Sequence, residues 1–202
     1  MSQGTVCHIS DKKTGVACPK VLVALGGNLK SSAGDPAETL GAALSRLGDS
    51  QLAVEAVSRL YATPCFPAGA GPDYVNAAAV LSGSDDAHAV LDLLHGIEAE
   101  FGRARDQRWG RRTLDLDLIA LGDAVLPDRA SHDHWRNLPL ARQMTQAPGR
   151  LILPHPRLQD RAFVLVPLAD IAPGWVHPVL RQSVRQMLDA LPIAEKSLVQ
   201  PL

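Results

Sequence analysis

Arg108-Trp109-Gly110-Arg111-Arg112-Thr113-Leu114-Asp115-Leu116-Asp117-Leu118-Ile119-Ala120-Leu121-Gly122 joins a basic loop to a strand, and the rest of the chain reads as support for it. Side chains along a strand alternate between two faces, so Asp115 and Asp117 share one face while Leu114, Leu116 and Leu118 share the other. Two carboxylates about 7 Å apart on one face repel unless a cation lies between them. Hard oxygen donors of this kind suit Mg2+, which keeps several of its waters, and the arginines just upstream suit a polyanion. A divalent metal beside an arginine clamp points to phosphoryl chemistry on a nucleotide. Taken alone, the same pattern also fits the solvent face of a half-buried strand whose aspartates pair with Arg111 or Arg112, so the neighbouring segments have to decide.

With 202 residues the chain can bury a full core, and its length argues for one domain with extensions. Residues 1–20 are polar and mixed and read as a loose N-terminal extension, 21–193 as the single catalytic domain with an insertion at about 127–150, and 194–202 as a C-terminal tail. A net charge of -1 supplies no global field to recruit nucleic acid or an anionic membrane, so neither is expected as a partner. The charge is local: five arginines and one aspartate lie between Arg103 and Arg112, and they must face solvent or a polyanion. Cys7, Cys18 and Cys65 are odd in number and form no C-x-x-C pair, which fits a reducing compartment and a cytoplasmic protein. No run approaches the roughly 18 apolar residues of a membrane span.

Upstream, Val21 to Leu25 is an apolar strand stopping at the turn Gly26-Gly27-Asn28. Asp35-Pro36-Ala37-Glu38 then supplies an N-cap, a first-turn proline and an acidic third position for a helix carrying Leu40, Ala43, Leu44 and Leu47 and closed by Gly48. Leu52 to Tyr61 reads as one strand leading into Thr63-Pro64-Cys65-Phe66-Pro67 and a Gly-rich loop, where Phe66 is either a plug over the core or a ligand contact. Asn76, at the mouth of the strand Ala77 to Leu81, can cap a turn or read a flat heterocycle with its two-faced amide. Ser84 to Asp86 opens a second helix, ended by Gly102, on which His95 and Glu98 can share an edge toward the arginine loop.

Downstream, Ala124 to Leu126 reads as a short return strand and 127–150 as an insertion with helix around Leu140 to Met144. Its His132 and His134 lack a third ligand at metal spacing and read as solvated. Leu151 to Leu153 is a strand stopped by Pro154 and Pro156, which fix His155 at a rigid corner before Arg161, Phe163 and the apolar run Val164 to Leu168. Val184, Met187, Leu188 and Leu191 mark a last amphipathic helix. Strands and helices interleave with hairpin-like pairs, giving an α+β architecture.

Five ordered motifs between about Val21 and Pro192 resemble one family, the hydroxymethyl-dihydropterin pyrophosphokinases of folate synthesis. They are Gly-x-Asn at Gly26 to Asn28, Tyr-x-Thr-Pro at Tyr61 to Pro64, Pro-Asp-Tyr-x-Asn at Pro72 to Asn76, the Arg108 to Asp117 signature, and Pro-His-Pro-Arg with Arg-x-Phe at Pro154 to Phe163. The resemblance implies a mostly antiparallel, three-layer αβα sandwich related to the ferredoxin-like plan. It also implies transfer of diphosphate from ATP to 6-hydroxymethyl-7,8-dihydropterin, with two Mg2+ ions held by Asp115 and Asp117. Arg103 and Arg112 would clamp phosphates as catalytic residues. Thr63, Pro64, Phe66, Tyr74, Asn76, Trp109 and Phe163 would line the pterin site, and His95, Glu98, Arg105, Arg108, Leu118, His155 and Arg161 the ATP site. The expected partners are these two small molecules, and a monomer is expected. The chain departs from the family in having Gly27 where serine is frequent, His95 for a glutamine, Cys65 for a second proline, and a much longer stretch from Asp123 to Arg150.

Two other classes use the same residues differently. A metal-dependent nuclease would need a general base beyond His155 and more aromatics for stacking single strands. A binding module on the same sheet would tolerate loss of both aspartates.

Overall fold

The computed structural model describes residues 18–65, 71–102, 112–139, 142 and 145–202. Strand β1 (Val21–Gly27) is buried along its whole length, and this is why its sequence is continuously apolar instead of alternating. It runs two residues past the expected end, through both glycines. Helix α1 (Pro36–Gly48) begins as the sequence predicts: Asp35 accepts from the Glu38 N–H and the Glu38 carboxylate accepts from the Asp35 N–H. Such a reciprocal cap is worth about 1 kcal/mol.

The single strand expected over Leu52 to Tyr61 is instead two, β2 (Ala53–Val57) and β3 (Tyr61–Thr63). Both pair with β4 (Tyr74–Ser82), which starts earlier than expected, so Asn76 lies inside a strand and caps no turn. The break has a local cause. Ser58 donates its N–H to the Ala78 carbonyl and accepts the Ala78 N–H on its own hydroxyl, so a side chain replaces one rung of the ladder. Helix α2 (Ala87–Glu100), capped by Asp86, leads to Gly102 in the left-handed region at φ 79°.

Strand β5 (Asp115–Leu121) pairs with β1, and a six-stranded antiparallel sheet results, ordered β5-β1-β4-β3-β6, with β2 also on β4. The last strand, β6, is Gln200–Pro201. One sheet face packs Val21, Val23, Leu25, Leu116 and Leu118 against Leu40, Leu47, Leu94 and Ile97 of α1 and α2. The other packs Leu22, Ala24, Ala78 and Ile119 against helix α4 (Ala162–Ile171) and helix α5 (Val184–Ala190). The β1–β5 register slips at Ile119, an extra residue, so Ile119 and Ala120 both face the α4 side.

The insertion differs from its expected form. Its helix α3 is Arg129–Arg136, capped by Asp128, while four of the five residues expected to be helical, Leu140, Ala141, Gln143 and Met144, lie outside the described residues. Leu126 and Leu153 make one isolated bridge and no longer strands. His132 is fully buried, whereas His134 is exposed as expected. The expected tail carries a four-residue helix, α6 (Ile193–Lys196), and then β6, with Val199 packed beside Tyr61. No helix among the described residues is long and apolar enough to cross a membrane.

Candidate active site

Residues directly opposite in an antiparallel pair point to one face, so the register sets Asp115, Gly26, Asn76 and Tyr61 in one row across β5, β1, β4 and β3. Asp117, Ala24 and Ala78 form the next row. Gly26 leaves an open slot between Asp115 and Asn76; a Cβ there would stand 3.1 Å from Asn76 Oδ1. Asn76, nearly buried, donates Nδ2 to Thr63 Oγ1 at 2.8 Å, and this fixes the amide's orientation across the slot. Tyr74 pairs with Thr63 in the β3–β4 register, next to exposed Pro64. Burial holds its phenol above the usual range, against the opposing pull of Arg112.

On the carboxylate side, Arg112 forms an ion pair with Asp115, and Arg161 Nη1 lies 3.8 Å from Asp117 Oδ2. Burial works against the Arg112 charge, but Asp115, aided by Asp117, more than offsets it and raises the guanidinium above its ordinary pKa. The Arg161 guanidinium also sits 5.6 Å from the ring centre of Phe163, whose other surface is exposed. A flat heterocycle and a polyanion thus have adjacent surfaces available on the same face.

His155 joins this face through the irregularity in β5. Its N–H donates to the Ile119 carbonyl at 2.8 Å, which the slipped register leaves available. The Arg157 N–H points at His155 Nδ1 from 3.2 Å, so the neutral ring carries its proton on Nε2. Burial first, then Arg161 and Arg157, push its pKa down to about 3. At neutral pH His155 is therefore an uncharged N–H donor.

Glu98 is buried at the open edge of β5, where its Oε1 accepts the Leu116 N–H at 2.7 Å. His95 stands one turn back on α2, half-buried. Leu118 sends its side chain into the α1 and α2 core, on the face opposite the aspartates, so only its main chain is left for a ligand. Phe66, Arg103, Arg105, Arg108 and Trp109 lie outside the described residues. Among the described residues no three His, Cys, Asp or Glu side chains cluster as a metal site. Asp115 and Asp117 still fit Mg2+, which is commonly held by one or two carboxylates with phosphate oxygens and water completing the shell.

One residue to which the sequence reading gave no site role is Asn28. Its N–H donates to the Arg112 carbonyl, its Oδ1 accepts the Arg112 N–H, and its Nδ2 donates to Pro72 O, all within 3.0 Å. Thr113 passes so close to Gly27 that a Cβ would meet its carbonyl oxygen at 2.6 Å. The Gly-Gly-Asn signal was visible, but not what it would grip.

Residues 22–173 match the family described as 7,8-dihydro-6-hydroxymethylpterin-pyrophosphokinase (HPPK). A 2-amino-4-hydroxy-6-hydroxymethyldihydropteridine pyrophosphokinase of Synechocystis is 38% identical over 173 residues, covering 85% of this chain and 76% of that one. The protein of that name from Pseudomonas aeruginosa is 41% identical over 162 residues, covering 79% and 84%. Among solved structures, a Plasmodium falciparum HPPK-DHPS chain with pterin and p-hydroxybenzoate is similar at a TM-score of 0.62 and 13% identity, over 94% of this chain. This chain spans 48% of that longer one, and at such identity the likeness speaks for the fold alone.

Proposed function

As a member of the 7,8-dihydro-6-hydroxymethylpterin-pyrophosphokinase family, the chain transfers diphosphate from ATP to 6-hydroxymethyl-7,8-dihydropterin, and we propose that it does so on the β5 face between Asp115 and Asn76. The observation that carries this reading is the shared register row, which sets a carboxylate and an oriented amide on opposite sides of the Gly26 slot.

In the reaction the pterin alcohol oxygen bonds to the β-phosphorus of ATP. The bond from that phosphorus to the bridging α,β oxygen breaks, and AMP leaves with that oxygen. Little covalent work falls to the protein, so alignment and charge supply most of the rate. Asn76 and Thr63 would read the pterin edge, with Pro64, Tyr74 and Phe163 bounding its ring and Phe66 and Trp109 completing the pocket. Asp115 and Asp117 would hold two Mg2+ ions, which when bound neutralise phosphate charge and orient the reacting oxygens. Arg112 and Arg161, already directed at these carboxylates, would turn to the phosphates once metal takes their place, together with Arg103. His155 would offer its Nε2–H to a phosphate oxygen, and His95, Glu98, Arg105, Arg108 and the Leu118 main chain would face the nucleotide. The helices on both sheet faces favour a three-layer αβα sandwich, with residues 21–193 as its domain, and a monomeric cytoplasmic enzyme remains the expected form.

Incubation with ATP, Mg2+ and hydroxymethyl-dihydropterin tests the reading. Pterin-dependent AMP is expected; ADP, or AMP formed without pterin, contradicts it.

A further inference from the structure

The corner that carries His155 is held from outside by the insertion. His132, on α3, is fully buried and its Nε2 lies 3.1 Å from the Pro154 carbonyl; a carbonyl only accepts, so Nε2 carries the proton and donates. Pro154 is the residue before His155. Two further ties join the same segments: Leu126 and Leu153 exchange main-chain hydrogen bonds, and Arg157 Nη1 donates to the Arg136 carbonyl at the end of α3.

Behind His132 stands His177, also fully buried, with ring centres 5.6 Å apart and the rings edge to face. His177 Nδ1 accepts from the Val179 and Leu180 N–H groups, so its proton sits on Nε2. That leaves the His177 Nε2–H and the His132 Nδ1 as two buried ring nitrogens with no hydrogen-bond partner among the described residues. A metal bridge does not fit: His177 would have to move its proton to Nδ1, against two N–H groups.

We propose that His132 is a positioning residue for the ATP side of the site, setting the place of the His155 N–H donor through the Pro154 carbonyl. The proposal rests on the reading that His155 meets the ATP phosphates. Neither the apolar pattern nor the Pro-His-Pro corner requires such a prop; it comes from helix α3.

The experiment compares His132→Leu, which keeps bulk and loses the donor, with His132→Gln, whose amide can donate to the same carbonyl. Steady-state kinetics are run against each substrate, and binding of a non-hydrolysable ATP analogue is measured directly. His132→Leu is expected to raise the KM for ATP and weaken the analogue about 5-fold to 10-fold, the scale of one lost hydrogen bond, with the pterin KM within 2-fold. Gln is expected to restore most of it. Exposed His134→Ala on the same helix should change nothing. If the Leu variant fails to fold, Asp128→Ala loosens α3 at its cap and should raise the ATP KM about 2-fold to 3-fold. Equal effects on both substrates, or no effect on ATP, overturn the proposal while leaving the wild-type activity intact. A wild-type chain that does not bind the analogue overturns the underlying site reading, and this proposal with it.

Discussion

Asn28 holds Arg112 by the main chain on both sides, donating to its carbonyl and accepting its N–H at 2.9 Å each. The strand end that leaves β1 therefore fixes the residue that enters β5, and with it the guanidinium paired to Asp115. Asn28→Ala removes two side-chain hydrogen bonds from a nearly buried site, each costing about 1–2 kcal/mol. The expected outcome in urea unfolding is a loss of about 2–4 kcal/mol. In steady-state assays the turnover should fall about 10-fold, because Arg112 keeps the bonds to its carbonyl but loses the one to its N–H that fixes its origin.

Gly27→Ala tests the close approach of Thr113. The added carbon meets a main-chain oxygen, which cannot swing aside as a side chain does, and overpacking of this kind costs about 1–3 kcal/mol. Gly26→Ala meets the Asn76 amide at 3.1 Å and the main chain no nearer than 3.9 Å. Thermal melts should show the larger drop for Gly27→Ala, while Gly26→Ala should act mainly on the pterin KM by filling the slot.

Three histidines with lowered pKa values, His132 and His177 buried and His155 half-buried, give the pH dependence. Burial holds His155 near 3 and His177 near 4, and lowers His132 as well, whereas the unfolded chain protonates all three near 6.5. Below that pH the unfolded state binds more protons, so their contribution makes stability fall from pH 6.5 toward 4 and leaves it flat above. Each histidine adds a slope of up to about 1.4 kcal/mol per pH unit. His177→Asn keeps an acceptor for the Val179 and Leu180 N–H groups and removes one titrating ring, so its urea midpoint should depend less steeply on pH. Because His155 is already neutral in the free protein, kcat/KM for ATP should show no inflection from it between about pH 5 and 8.

Much of the fold was legible where one local rule decided the matter. The cap residues of α1 fixed its start, and period-two alternation put Asp115 and Asp117 on one face opposite three leucines. What was not legible depended on partners far away in sequence. The break at Ser58 needs Ala78 beside it, and the extra residue Ile119 is hidden in a run that is apolar throughout. Helix α3, Arg-Ala-Ser-His-Asp-His-Trp-Arg, reads as polar and solvated because the contact that buries His132 is a carbonyl 22 residues downstream. The candidate site followed the same division: the shared face of the two aspartates was legible from spacing, whereas the contacts of Asn28 and His132 come only through partners distant in sequence.

The most direct measurement is pterin-dependent AMP formation by Asp117→Asn and Asp115→Asn. Among the described residues the ion pair that Asp117 makes is a long one, to Arg161, so its variant should melt like the wild type, while Asp115→Asn leaves Arg112 half-buried without its main partner and should melt lower. Both are expected to lose activity by at least about 10³-fold, more than removal of a single positioning group does. Near-normal AMP formation by a folded Asp117→Asn chain would contradict the account, because the shared carboxylate face would then not be where the phosphates are held.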